Sequence, residues 1–337
     1  MPSPIMILGP GRMGVGLATA ALLAGTGRRV TLIDLKQRPQ GQETAALETA
    51  REEIASNLAL MAGLGRTKAQ PKELLSALVL SRDLNEDLEK RAFIFEALPE
   101  KIELKRGLLA ELASGIGPET IVASTTSTLD LGTLARDFPK APNLIITHWL
   151  NPAFLIPLVE VARNKETGPE TVQRTTRLLR ELGKIPVVLN DSPGFIVPRI
   201  QTAAMNEAVR ILEEGVASPA EIDTAIKAGF GFRLAALGLL EFIDLGGLDI
   251  LFYAGKYLAS AIGEDRFAPP DLVAEKMAAG RTGPRTGQGI FNYSGVEVEE
   301  MFKKRYRGMA ALLEAIQNSP DLSFEGGLRS DESGARD

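Results

Sequence analysis

The stretch "IMILGPGRMGVGLATAALL", residues 5–23, decides the fold. Its first four residues are apolar and read as a buried strand. They run directly into Gly9-Pro10-Gly11-Arg12-Met13-Gly14, a G-x-G-x-x-G, and then into a helical pattern near 14–25. A glycine triplet between a strand and a helix is a site for an anion. The first glycine makes the tight turn, the second lets backbone approach a pyrophosphate, and the third lets the helix pack on the strand. The helix N-terminus attracts the negative charge. Gly9, Gly11, Arg12, Met13 and Gly14 are therefore candidate dinucleotide-binding residues.

Outward from this stretch the first half of the chain repeats the same rhythm. "RVTLID" (29–34), "ALVLS" (77–81), "AFIFEA" (92–97), "TIVAST" (120–125), "NLIITH" (143–148) and "IPVVLN" (185–190) read as buried strands. Helical patterns lie near 42–63, 101–113 and 168–182. Strands alternating with helices predict a parallel, doubly wound sheet. The second strand ends in Asp34, twenty residues beyond Gly14. A carboxylate there accepts hydrogen bonds from a ribose 2′-OH and repels a 2′-phosphate, which favours NAD over NADP. Lys36 and Arg38, just beyond, act in the opposite sense.

The rhythm stops at "NDSPGFIVPR" (190–199), where Ser-Pro-Gly marks a break. The pattern after it is helical, at 199–215, 219–228, 234–262, 270–279 and 298–317. The expected fold class is α/β: a Rossmann-like doubly wound sheet over 1–190, then an all-α domain over 191–319. The polar, Gly/Ser-rich tail at 320–337 is expected to be disordered.

Composition narrows the chemistry. The 337 residues are 45% apolar and 24% charged, ordinary values for a soluble globular protein. There is no cysteine, which excludes disulfides, thiolate–zinc sites and a Cys nucleophile. A single histidine excludes a multi-histidine metal centre, and no metal is expected. A net charge of −5 gives no reason to expect nucleic acid as a partner. The start, "MPSPIMILGPGR", has no cationic region of a signal peptide. The apolar run 234–253 contains Glu241, Asp244 and Asp249, so it is a poor membrane span. The cytoplasm is the default expectation.

That one histidine sits in "THWLNP" (147–152), beside the one tryptophan, Trp149. A lone imidazole is either a packed ring or a proton-transfer group, and its surroundings decide which. His148 ends a strand on the side where ligands bind in open α/β sheets. A chain reversal through Asn151-Pro152 and Pro157 can return Glu160 towards it. A carboxylate on one imidazole nitrogen fixes the tautomer and stabilises the cation, leaving the other nitrogen for a substrate hydroxyl.

"STTSTLDL" (124–131) and "THWLNPAFLIPLVEV" (147–161) resemble elements of the L-3-hydroxyacyl-CoA dehydrogenase family, in which a glutamate follows the histidine by twelve residues. "FEALPEKIELK" (95–105) is similar to its E-A-x-x-E-x-x-x-x-K element. "DSPGFIVPR" (191–199) resembles its D-x-P-G-F-I-V-N-R, and "RTGQGIFNY" (285–293) its K-T-G-x-G-F-Y. The likeness runs from residue 5 to about 295. Some members of this superfamily act on free acids, such as sugar acids and pyridine carboxylates, rather than on CoA esters. The resemblance implies NAD as cofactor, a site in a cleft between the two domains, and a homodimer formed through the helical domain. It implies His148 as acid/base, Glu160 as its orienter and Ser127 as a donor to the substrate oxygen. Asn151, Glu100 and Lys105 match positions that hold the cofactor or order the site, and Arg285 is grouped with them. Taken singly, Glu100 and Lys105 read as solvated helix charges, and Ser127 as a turn or cap residue.

Three departures set the expected substrate. Pro198 stands where the family has an active-site asparagine, and proline offers neither a side-chain amide nor a backbone N–H. The stretch matching the family's lysine-rich CoA helix, "ASNLALMAGLG" (55–65), has no basic residue; a surface for CoA phosphates should be positive. Arg233, in "GFGFRLAALG" (229–238), replaces an apolar residue of the acyl-CoA enzymes and matches a basic residue of the free-acid relatives; alone it reads equally as a surface helix charge. Pro198 and Arg233 are thus candidate substrate-side positions, with Ser127 and Asn151. The expected activity is NAD-dependent hydride transfer at a secondary alcohol or ketone of a small, carboxylate-bearing hydroxy acid. The alternatives are a short-chain L-3-hydroxyacyl-CoA dehydrogenase and a non-catalytic NAD-binding protein.

Overall fold

The computed structural model describes residues 3–85, 88, 92–136, 138–319 and 321–324. The tail expected to be disordered therefore lies outside the described residues except for 321–324. The chain divides into two compact units, Met1–Ala203 and Ala204–Asp337.

The first unit alternates strands and helices in chain order: β1 (Ile5–Leu8), α1 (Arg12–Leu23), β2 (Val30–Ile33), α2 (Ala45–Gly63), α3 (Pro71–Leu75), β3 (Leu78–Ser81), β4 (Phe93–Glu96), α4 (Ile102–Gly115), β5 (Ile121–Ser124), α5 (Leu131–Ala135), β6 (Leu144–Trp149), β7 (Leu158–Arg163), α6 (Pro169–Glu181) and β8 (Ile185–Asn190). The strands form one sheet in the order β3-β2-β1-β4-β5-β6-β7-β8. Every pairing is parallel except β6 with β7. This is the doubly wound α/β arrangement, extended at one edge by a hairpin and one further strand. Side chains alternate between two faces, as a period of two requires. Ile5, Ile7, Val30, Leu32, Phe95 and Val161 pack with α1, α2 and α6. Met6, Leu8, Ile94, Val122, Ile146 and Ala162 pack with α4 and α5.

The seven expected strands are present. β7 was not among them: "LVEVAR" follows Pro157 and carries Glu160 in its middle and Arg163 at its end, charges that mask a strand buried on both faces. The turn joining β6 to β7 is held by Lys184, whose ammonium donates to the carbonyls of Ala153 (2.6 Å) and Ile156 (2.9 Å) and stands 5.8 Å from the centre of the Trp149 ring. Burial pulls this lysine down to about 8. Trp149 is itself a packing residue, edge-on to Phe95 at 6.1 Å.

α7 (Val197–Glu213) runs from the first unit into the second, which continues with α8 (Pro219–Ala225), a π-helical turn (Ile226–Gly231), α9 (Phe232–Leu234), α10 (Leu239–Gly246), α11 (Leu248–Ile262), α12 (Asp271–Ala278) and α13 (Val298–Gln317). The single helix expected over 234–262 is broken. Gly247 has φ +103, and a Cβ there would lie 2.3 Å from an Asp249 carboxylate oxygen. Apolar periodicity continues through this glycine, so the pattern alone did not reveal the break. The loop 282–293 is stapled to α10 by Asp244. This buried carboxylate accepts the N–H groups of Ile290 and Phe291, each at 2.8 Å, and the Tyr293 hydroxyl at 3.1 Å. Burial and the Asp244 carboxylate raise the Tyr293 hydroxyl above its ordinary value. No helix among the described residues is long and apolar enough to cross a membrane.

Candidate active site

β6 and β7 are antiparallel with His148 directly opposite Glu160. Opposed residues in such a pair share one face of the sheet, so the twelve-residue spacing becomes a side-chain contact. His148 Nδ1 lies 2.7 Å from Glu160 Oε2, and both residues are buried. The other glutamate oxygen, Oε1, accepts the N–H groups of Ile196 and Val197, each at 2.9 Å. These donors belong to the entry of α7, where backbone N–H groups lack intrahelical partners and the helix dipole favours an anion. Glu160 is thus fixed at both oxygens, and the imidazole is left with Nε2 for chemistry. The ring of Phe195 packs against His148 with 5.3 Å between centroids. Phe195 is held at φ +49, a conformation rare for a bulky side chain. Its role was not foreseen; the only signal was its place in the "SPGF" turn.

Pro198 occupies the second position of α7. Its missing N–H falls in the first helical turn, where it would have had no intrahelical acceptor. The two N–H groups that matter to Glu160 come from the residues just before it.

A second cluster lies on the same face at the ends of β4 and β5. Glu96 and Ser124 are register partners, and the serine hydroxyl donates to Glu96 Oε2. Lys105 donates to both Glu96 oxygens, at 2.8 and 3.0 Å, and lies 3.3 Å from Glu100 Oε2. Lys105 and Glu96 are each 1% exposed, so Lys105 is not a solvated helix charge. Glu100 Oε1 gathers the 126–128 turn: it accepts the Thr126 hydroxyl at 2.5 Å, the Ser127 N–H at 2.9 Å, and the Thr128 N–H and hydroxyl at 3.0 Å. Burial alone would raise Glu100, but the Thr126 hydroxyl, the Lys105 charge and the Ser127 and Thr128 donors outweigh it and hold the carboxyl at about 2. Glu100 and Lys105 therefore set the conformation of the turn that presents the exposed Ser127. Glu96, which anchors Lys105, opens the E-A-x-x-E-x-x-x-x-K match but was not among the expected site residues, because a carboxylate at the end of an apolar strand has no periodic signature.

The glycine turn has the shape its sequence demands. Gly9 has φ +110, and a Cβ on Gly14 would sit 1.8 Å from the Gly9 carbonyl oxygen. A Cβ on Gly11 would meet nothing within 4 Å, which leaves the space a pyrophosphate needs beside backbone. The first turn of α1 has no side-chain cap and no acidic residue. A cavity of about 390 Å³ opens here, with Arg12, Met13, Asp34, Lys36, Arg38 and Leu98 among its lining residues. The residues present fit NAD. Asn151 is exposed in the turn after β6. Arg233 and Arg285 belong to the second unit and are also exposed; the Arg233 guanidinium stands 5.4 Å from the centre of the Phe242 ring.

The chain matches the NAD-binding domain of 3-hydroxyacyl-CoA dehydrogenase over residues 4–192 and the C-terminal domain of the same family over 194–293. It belongs to the 3-hydroxyacyl-CoA dehydrogenase family and is an NAD-dependent oxidoreductase acting on CH–OH. It is 31% identical over 315 residues to 5-formyl-3-hydroxy-2-methylpyridine 4-carboxylate 5-dehydrogenase of Mesorhizobium japonicum, covering 93% of this chain and 98% of that protein. It is 32% identical to a probable 3-hydroxybutyryl-CoA dehydrogenase of Deinococcus radiodurans, covering 85% and 99%. Among solved structures, a 3-hydroxyacyl-CoA dehydrogenase from Archaeoglobus fulgidus superposes with a TM-score of 0.73 at 29% identity, covering 92% of this chain and 99% of that one.

Proposed function

We propose that this enzyme interconverts a secondary alcohol and a ketone on a small hydroxy acid with a free carboxylate. The observation that carries the reading is the His148–Glu160 pair, a buried imidazole with its partner carboxylate fixed at both oxygens. NAD, when bound, supplies the hydride acceptor. His148 takes the hydroxyl proton at Nε2 during oxidation and returns it during reduction, a contribution of about 10²–10⁴-fold. Glu160 keeps the proton of the neutral imidazole on Nδ1 and stabilises the imidazolium that forms. Ser127 donates to the substrate oxygen from the turn that Glu100 orders. Asn151 and Arg285, with Gly9, Gly11, Arg12, Met13, Gly14 and Asp34, hold the cofactor, Glu100 and Lys105 order the turn beside it, and Arg233 pairs with the substrate carboxylate.

The carboxylate in the name of the Mesorhizobium relative supports a free acid. So does α2, which presents exposed Leu60, with Leu64 just past its end, where phosphates of CoA would need cations. The family matched and the Deinococcus relative favour the second reading, a short-chain hydroxyacyl-CoA substrate. Calorimetric titration with free CoA separates the two. No saturable binding at millimolar CoA is expected, whereas micromolar binding would put the thioester reading first.

A homodimer through the helical unit is part of this proposal. α11 exposes Ile250, Tyr253, Tyr257 and Ile262, apolar side chains that a second copy would cover.

A further inference from the structure

The adenosine end of the cofactor site is built differently from a bare-carboxylate NAD site. Asp34 ends the second strand's run, where it would meet a ribose diol, yet it is only 3% exposed. Arg38 covers it: Arg38 Nε donates to Asp34 Oδ2 at 2.9 Å, while the Lys36 N–H donates to Oδ1 at 3.1 Å. The cavity that holds Asp34 is also lined by Arg12, Lys36 and Arg38, three cations against one carboxylate. Repulsion of a 2′-phosphate by Asp34 is the usual basis of NAD selectivity. Here that charge is already neutralised by a guanidinium, and a second cation stands exposed two residues from Asp34. The Arg38 guanidinium uses Nε on Asp34, which leaves its terminal N–H groups to act as a fork for phosphate oxygens.

We propose that Arg38 makes this pocket accept a 2′-phosphorylated dinucleotide, so that the chain binds NADP as a second, weaker cofactor. Arg38 shifts from Asp34 towards the 2′-phosphate when NADP binds and stays on Asp34 when NAD binds. The inference rests on the cofactor reading of the glycine turn. The test is calorimetric binding of NAD and NADP, without substrate, to the full chain and its variants. In the unsubstituted chain NADP binds within about a hundredfold of NAD, a gap that one charge-assisted contact offsets. Arg38→Gln raises the ratio of the NADP to the NAD dissociation constant by about tenfold or more. Arg38→Lys gives an intermediate ratio, since it keeps the charge without the fork. Asp34→Asn moves the ratio the other way. An unchanged ratio in Arg38→Gln, equal loss of both cofactors in that variant, or no NADP binding by the unsubstituted chain overturns the proposal. Failure to bind either dinucleotide in the unsubstituted chain instead overturns the cofactor reading itself.

Discussion

Replacing His148 with glutamine lowers turnover by about 10²-fold or more and leaves NADH affinity unchanged. Glutamine keeps the approximate reach of the imidazole and still donates towards Glu160, but its amide takes up no proton. The cofactor cradle is formed by other elements, Gly9–Gly14 and the end of β2, so binding of NADH is an internal control on folding. Glu160→Gln is impaired as well, because the imidazolium formed during oxidation loses its counter-ion. Glu160→Ala adds a stability loss of about 1–3 kcal/mol, since the Ile196 and Val197 N–H groups lose their acceptor. Stopped-flow and steady-state rates with thermal melts separate these effects. Near-normal turnover in His148→Gln would mean that another group or a water moves the proton.

The second large effect is expected at Arg233. A free acid brings a full negative charge within a few bonds of the reacting carbon, and a carboxylate withdrawn from water without a partner is costly. An acyl-CoA thioester carries no such charge. Among the described residues no carboxylate pairs with Arg233; its guanidinium rests against the Phe242 ring and its fork is available. Arg233→Ala should raise KM at least tenfold, about 1.4 kcal/mol or more, with NADH affinity unchanged. Lysine at 233 should restore only part, because it supplies charge without bidentate geometry. Neutral ketone analogues should lose little. Equal losses for charged and neutral substrates would make Arg233 a structural residue and leave the free-acid reading on α2 and the Mesorhizobium relative.

Much of this was legible in the sequence because it has a spatial period or a fixed spacing. The βαβ rhythm gave the sheet, and the strand–glycine–helix context gave the cradle. The twelve residues from His148 to Glu160 translated into a direct cross-strand pair once β7 turned back on β6. Other features have no one-dimensional signature. The N–H groups that hold Glu160 Oε1 belong to the backbone, whose donors are the same whatever the side chain. Glu96 holds Lys105 from a neighbouring element nine residues away, and only its place in the 95–105 motif, not the strand pattern of "AFIFEA", sets that carboxylate apart from a solvated strand end. α3 and α5 span five residues each, too short for a helical period to register. The Asp34–Arg38 pair was visible as two opposed charges, but its closure over the pocket was not.

NAD-coupled hydride transfer at a free hydroxy acid would need His148 as the proton-transfer group. Its most direct test is a spectrophotometric assay of NADH oxidation by the purified chain, comparing acetoacetyl-CoA with a panel of free keto acids and following each active substrate with the His148→Gln variant. Turnover is expected on at least one free keto acid, with loss of that turnover in the variant and little or none on acetoacetyl-CoA. Efficient reduction of acetoacetyl-CoA with no activity on any free acid would contradict it.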